Sequence, residues 1–431
     1  MNLKSNQLKN KISFLSLLLI VFSFLLVRFS YFENNTKNGY NATSWDAFGY
    51  YMYLPSTFIY HDVKEQKWIS AIDSTYNVTG GYLYQVCEIK NVKGKKFTNK
   101  YLSGVAIMQS PFFFCGHAIA TLVDAPSDGF SWPYQYAIMF AGIFWGFVGF
   151  IFLRKVLLEY FDDKTTTLTL ILLALTSNLI QYISIDGGMS HTYIFPLYAG
   201  VIWLTLKWHR SPRTIWAFFI GLISALAIIS RPTELLIIFI PILWSTQSKE
   251  EKTLKWKQVA ENKNHIILCF LGGIIGLLPQ ILYWKYTTGS IIYDVGSKWY
   301  FLNPWFRVLF GPEKGWFLYT PVAILMIIGF FFMKNQPFRR SVLTFCLLNI
   351  WVIISWSDWK YGASYSTRAL TQSYPVFALP LACLISYCFE KKKHYLIYGV
   401  SIVLILLNFY QLSIYNQSIL ENFSPFLKIY K

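Results

Sequence analysis

Eleven stretches of this chain, each about 15 to 24 residues long and nearly free of charge, are separated by short polar or basic links. They are Ile12 to Ser30 and residues 133–155, 165–184, 191–207, 213–230, 233–247, 264–284, 316–333, 341–356, 369–389 and 395–414. Inside a bilayer every backbone N–H and C=O must be satisfied within the protein, so runs of this length imply helices. Only 14% of the residues are charged and 55% are hydrophobic. A soluble domain averages about 25% charged, so the usual solvating surface is missing. The expected class is an all-α integral membrane protein, one polytopic domain over residues 1–431.

Lys+Arg outnumber Asp+Glu by 38 to 21, a net charge of +17. In a soluble chain that balance would suggest nucleic acid, but here basic links between apolar runs are how orientation is set. Nucleic-acid binding is therefore not expected, whereas the lipid bilayer is an obligate partner. The six cysteines, Cys87, Cys115, Cys269, Cys346, Cys383 and Cys388, show no metal-ligand spacing and read as small hydrophobes.

The first run follows Lys4, Lys9 and Lys11, carries Arg28 and has no small-residue cleavage site, so it reads as an uncleaved first span and not a signal peptide. One further run, Leu102 to Val123, is also apolar. If it stays on one side, the clusters Arg154/Lys155/Lys164, Lys207/Arg210/Arg213, Lys249 to Lys263, Lys334/Arg339/Arg340 and Lys391/Lys392/Lys393 all face the cytoplasm. If it crosses, every later loop inverts. The expectation is thus eleven spans, the N-terminus inside and the C-terminus outside, with 102–123 lying as a helix at the outer interface. A first outer loop of about 31–132 with juxtamembrane helices follows, and further outer loops at about 286–315 and 357–368.

Those outer segments hold the residues with chemical potential. Asp46 opens an aromatic stretch that includes Tyr50, where a carboxylate suits either helix capping or chemistry. His61-Asp62 ends that stretch and fits a turn in water equally well. Lys100, at the start of the 102–123 run, is either a snorkelling anchor or a fixed cation for a phosphate head group. Asp186 and His191 flank Gly187-Gly188 in a very short outer turn, and ionisable groups at that depth carry function by default. Arg231 and Glu234, three apart, suit a neutralised pair or an anion site. Trp359, Lys360, Tyr361 and Arg368 close the set. Carboxylates suit general-base work on a hydroxyl, cations beside lipid suit a phosphate leaving group, and aromatic faces with polar rims suit sugar rings. Tyr50, His191, Trp359, Lys360 and Tyr361 are accordingly the candidates for sugar or acceptor contacts.

In this order of motifs the chain resembles the GT-C superfamily of polytopic glycosyltransferases, which includes protein O-mannosyltransferases and lipid A aminoarabinose transferases. The match runs over residues 40–370: Asp46 soon after span one, Lys100-Tyr101-Leu102-Ser103-Gly104 with Pro111, Asp186 in the next short outer loop, and Arg231 after the fifth span. Ala47 stands where several relatives carry a second acid, and the Lys-Pro-Pro-Leu string appears as Lys100-Tyr101-Leu102-Ser103. The resemblance implies inverting transfer of a sugar from a polyprenyl-phosphate donor to a hydroxyl of a glycan, lipid or protein acceptor. It places the active site on the extracytoplasmic face of a bacterial inner membrane. Asp46 would be the base, Asp186 would assist, and Lys100, Arg231 and Arg368 would hold the lipid phosphate. No cofactor is implied with certainty. A divalent metal could sit between paired carboxylates, although no ligand spacing supports one. The rival classes are a polyprenyl-linked glycan ligase or polymerase and a lipid or sugar transporter. No internal repeat of the transporter kind is visible.

The topology is open to direct test. In a cysteine-free background, single cysteines at Ser127 and Ser248 should label from opposite sides, Ser127 from outside. Labelling of Ser127 from the cytoplasm alone would invert the scheme.

Overall fold

The computed structural model describes residues 10–30, 42–90 and 94–420, and they are mostly helical. Lys4, Lys9, residues 31–41 at the start of the expected outer loop, and the expected outer C-terminus beyond residue 420 lie outside the described residues. Among the described residues six helices are long and apolar enough to cross a membrane: Lys11–Ser30, Gly104–Leu122, Trp132–Leu157, Lys263–Thr288, Arg368–Glu390 and His394–Asn416. Thr214–Ile228, Pro232–Leu243 and Val322–Phe332 are shorter apolar helices. The structure is thus that of an all-α protein with transmembrane character, and the expected count of eleven spans goes beyond these helices.

Part of that shortfall has a local cause, because several expected spans are broken. The 165–184 run is two helices, Asp163–Leu175 and Leu179–Ser184. The carbonyls of Leu175 and Ser177 freed at the break accept hydrogen bonds from Asn408 Nδ2 at 2.9 and 3.3 Å. The 233–247 run is a 3-10 helix, Pro232–Ile238, followed by Phe239–Leu243. Its end is closed by Lys255, whose ammonium donates to the carbonyls of Pro241, Ile242 and Trp244 at 2.6–2.7 Å. Non-helical backbone at membrane depth survives where protein satisfies it, and both breaks meet that condition.

Two ends of the bundle can be told apart. At one, Asp163 accepts from the N–H groups of Ile12 and Ser13 at 3.0 and 3.1 Å, a carboxylate on the N-terminus of the first helix. Arg154 joins it there through Ser13 Oγ and the Asn10 carbonyl, both at 2.8 Å. At the other end Arg28 donates to the Ile185 carbonyl, 3.2 Å away. The turn at Gly187-Gly188 packs there under the segment that begins at Ala42: a Cβ on Gly188 would lie 2.1 Å from the Ala42 carbonyl oxygen. Only glycine permits that approach.

The helix Gly104–Leu122 meets residues 51–60 and 128–129 along its whole length. Near its start Tyr53 donates to the Tyr101 carbonyl at 2.7 Å, and near its middle Phe113 packs on Tyr51 and Phe58. Past its far end Asp128 and Gly129 accept from Tyr60 and Tyr51. Residues 51–60 therefore accompany this helix from one end to the other. Two short antiparallel strands, Val86–Glu88 and Phe97–Asn99, complete this layer.

Candidate active site

Asp46 is the first residue of the helix Asp46–Tyr51. The residue before it, Trp45, has φ 57° and ψ −126°, a region that costs a non-glycine residue about 1–3 kcal/mol. Two hydrogen bonds enforce it: Trp45 N–H to the Val78 carbonyl at 2.9 Å, and Gln85 Nε2 to the Trp45 carbonyl at 3.0 Å. The indole lies over Gly80, where a side chain would collide with it.

Capping does not explain Asp46, because its carboxylate is occupied elsewhere. Oδ1 accepts from the hydroxyls of Tyr101 at 2.6 Å and Tyr84 at 2.8 Å. Oδ2 accepts from Arg368 Nη2 at 2.6 Å, a contact that spans 322 residues of sequence. Both side chains are largely enclosed, 14% exposed for Arg368 and 18% for Asp46. Burial alone would raise the Asp46 pKa. The Arg368 charge and the hydrogen bonds from Tyr101, Tyr84 and Arg368 outweigh it and hold the carboxyl at about 2. Burial and the carboxylate push the Tyr84 and Tyr101 hydroxyls up, so both remain donors.

Behind this centre runs a second polar chain. Arg231 Nη1 lies 3.4 and 3.5 Å from the two ring nitrogens of His191. His191 Nδ1 is 2.7 Å from Gln372 Oε1, and Gln372 Nε2 donates to Glu234 Oε1 at 3.0 Å. The amide nitrogen of Gln372 is committed to Glu234, so its oxygen faces His191 and the imidazole proton sits on Nδ1. Tyr198 donates to Glu234 Oε2 at 2.6 Å, and Thr233 to Oε1 at 3.1 Å. Arg231 and Glu234 do not form the ion pair that their spacing permits. Arg231 has extended backbone, φ −153° and ψ 128°, ahead of the 3-10 turn, which removes the helical register that would face the two. Among the described residues no carboxylate lies within 4.0 Å of the Arg231 guanidinium.

Tyr50 connects the two layers. It is buried, its ring packs edge-on against Tyr101 at 4.7 Å, and both guanidinium charges, Arg231 and Arg368, reach its hydroxyl. Asp186 is half-buried, its Oδ2 accepting from Gln181 Nε2 at 3.0 Å. Burial pushes its pKa up against that bond and the charges of Arg368 and Arg28. It faces the same end of the bundle as Asp46 but is not bonded into the Asp46 centre.

The remaining candidates divide. Tyr361 is buried and donates to the Ile353 carbonyl at 2.6 Å. Trp359 stacks on Trp305 and lies under the Arg307 guanidinium, 4.2 Å from the ring centroid. Lys360 is exposed, its carbonyl taken by Lys314 Nζ at 2.7 Å. Lys100 is exposed and near Cys87, and among the described residues its ammonium makes no hydrogen bond or ion pair. Its neighbour Tyr101 is the residue that reaches Asp46. Asp62 binds the N–H groups of Glu65 and Lys67, both at 2.8 Å, and so belongs to a local turn.

Tyr84 and Gln372 are additions that no motif marked, and Lys314 joins them from the charged 286–315 segment. Lys314 is half-buried, and burial with the Arg368 charge lowers its pKa to about 8. Among the described residues no group of three His, Cys, Asp or Glu side chains could hold a metal ion. No protein-family model and no curated protein matches the chain.

The depressed Asp46 pKa carries a stability consequence. A carboxyl that moves from 3.8 to about 2 on folding contributes about 2 kcal/mol above the unfolded pKa, lost as pH falls through the folded one. Thermal unfolding in detergent should show wild type more stable than Asp46→Asn by a constant margin above about pH 5. That margin should shrink between pH 4 and 2, and a margin independent of pH would contradict the assignment.

Proposed function

We propose that the chain is a membrane glycosyltransferase. It would transfer a sugar from a polyprenyl-phosphate donor to an acceptor hydroxyl on the extracytoplasmic face of a bacterial plasma membrane, with the N-terminus in the cytoplasm. The observation that carries this reading is the single carboxylate of Asp46, held by Arg368 and two tyrosines at one end of an apolar bundle, with Arg231 and Lys314 close by. A base and several cations at a lipid face are what displacement at a sugar–phosphate bond requires.

In the reaction the acceptor oxygen attacks the anomeric carbon as its proton passes to Asp46. The bond from that carbon to the phosphate oxygen breaks, and the electron pair leaves with the polyprenyl phosphate. One displacement inverts the anomeric centre and needs no enzyme nucleophile. Arg368, Arg231 and Lys314 would meet the charge that grows on the phosphate. His191, fixed by Gln372, would orient Arg231. Tyr50 and Tyr361 would border the sugar, and Asp186 would assist from the turn beneath the Asp46 helix. Trp359 and Lys360 would serve an outer acceptor rim. Lys100, at the surface, is left out of the phosphate set. The helix breaks are sealed by Asn408 and Lys255, which favours an enzyme over a transporter whose broken helices line an open path.

Asp46→Asn keeps shape and removes proton-accepting capacity, which is worth about 10²–10⁴ in rate. Membranes with the wild-type chain, given radiolabelled polyprenyl-phosphate sugars, should yield labelled acceptor and free polyprenyl phosphate. Membranes with equal amounts of Asp46→Asn should fall by at least about a hundredfold. Equal rates would end this reading.

A further inference from the structure

We infer that the Asp46–Arg368 ion pair is a lock on the base, and that an anionic donor head group opens it by taking Arg368 away. The inference rests on the reading of Asp46 as base and Arg368 as phosphate ligand, and adds the order in which they act.

The geometry of the pair sets the two roles in competition at Nη2. The Asp46 carboxylate already accepts three strong donors, Tyr101, Tyr84 and Arg368, at 2.6–2.8 Å. A carboxylate so engaged has little capacity left to take a proton from an incoming hydroxyl. Arg368 reaches it through Nη2 alone, while its Nε is buried with no hydrogen-bond acceptor in reach. A buried N–H without an acceptor is costly, so this edge of the guanidinium favours a ligand. Nε and Nη2 form the side-on fork of an arginine, the pair of parallel N–H groups that grips two oxygens of one phosphate. A phosphate that satisfies Nε in this way also claims Nη2, the nitrogen now holding Asp46.

Binding of the donor and release of the base thereby become one exchange. The guanidinium trades a carboxylate oxygen for two phosphate oxygens, and Asp46 keeps only the two tyrosine hydroxyls. Its proton affinity rises once the cation leaves, which is when an acceptor hydroxyl must be deprotonated. The low pKa of the resting state agrees with this sequence. A donor without an anionic group would leave the pair intact and the base silent, so the lock selects for lipid-phosphate donors and imposes donor-first binding. The resting pair also lowers apparent donor affinity, because the competent state of Arg368 is only a fraction of the whole.

That last point reverses the usual expectation for removing a base. Purified full-length protein in detergent is titrated with undecaprenyl phosphate, which carries no sugar, so transfer does not enter the readout. Asp46→Asn and Asp46→Ala should each bind it about tenfold more tightly than wild type, about 1.4 kcal/mol. In an Arg368→Gln background, Asp46→Asn should change nothing, since the competition has gone. Unchanged or weaker binding in the single Asp46 variants overturns the lock while leaving the donor assignment intact. No binding to wild type or any variant removes both. A measurement on the unaltered chain guards against misfolded variants: adding undecaprenyl phosphate to protein with carboxyl-labelled aspartate should shift one carboxylate infrared band. No shift on saturation contradicts the exchange.

Discussion

Arg368 stands 322 residues from Asp46, and their 2.6 Å contact joins the segment after the first helix to the last third of the chain. Bringing two opposite charges out of water is costly, and mutual attraction alone does not always repay it. Here the remaining valences of the carboxylate are filled by Tyr84 and Tyr101, each fixed by its own segment. Tyr101 precedes the Gly104–Leu122 helix and Tyr84 precedes the small hairpin. The strained Trp45 turn aims Asp46 at all three donors at once. Strain there is held by the Val78 carbonyl and the Gln85 side-chain amide, so this segment is folded around the carboxylate.

The surrounding bundle supplies the low-dielectric wall that gives such a pair its strength. Helices 214–228 and 263–288 touch backbone to backbone, since a Cβ on Gly221 would lie 1.8 Å from the Cys269 carbonyl oxygen. Close crossings through small residues are how helices associate where lipid competes equally for apolar side chains. The opposite face of 263–288 shows Ile267, Phe270, Ile274 and Leu282 outward, as a lipid-facing helix must. Polar side chains inside the bundle are also partnered: Asn408 bonds the broken backbone at Leu175 and Ser177, Asn178 accepts from Tyr374, and Gln372 bonds His191 and Glu234.

Much of this was legible in the sequence. Apolar runs marked the helical, membrane-embedded class. The position of Asp46 after the first run, and of Asp186, His191, Arg231 and Arg368 at later outer turns, placed them at one end. What the sequence did not show was pairing. Nothing local connects Asp46 with Tyr84 or Arg368, since partners across such distances are chosen by tertiary packing. Spacing suggested Arg231 with Glu234, but a 3-10 turn replaced the helix and sent Arg231 to His191. Lys100 drew attention as the charged residue of its motif, yet the side chain that reaches Asp46 is that of the adjacent Tyr101. An unbroken apolar run likewise concealed the break at 176–178, because a span interrupted and resealed by Asn408 keeps its hydropathy. Charge counting could not single out Lys255 as a helix cap.

In the proposed exchange one guanidinium serves the carboxylate at rest and the lipid phosphate in action. A crystal structure of the full chain with undecaprenyl phosphate bound would show which partner Arg368 holds. Phosphate oxygens should lie within hydrogen-bond distance of Arg368 Nε and Nη2, with Asp46 no longer in contact with Arg368 and the Tyr84 and Tyr101 hydroxyls still on Oδ1. A phosphate bound elsewhere, with the Asp46–Arg368 contact unbroken, would contradict it.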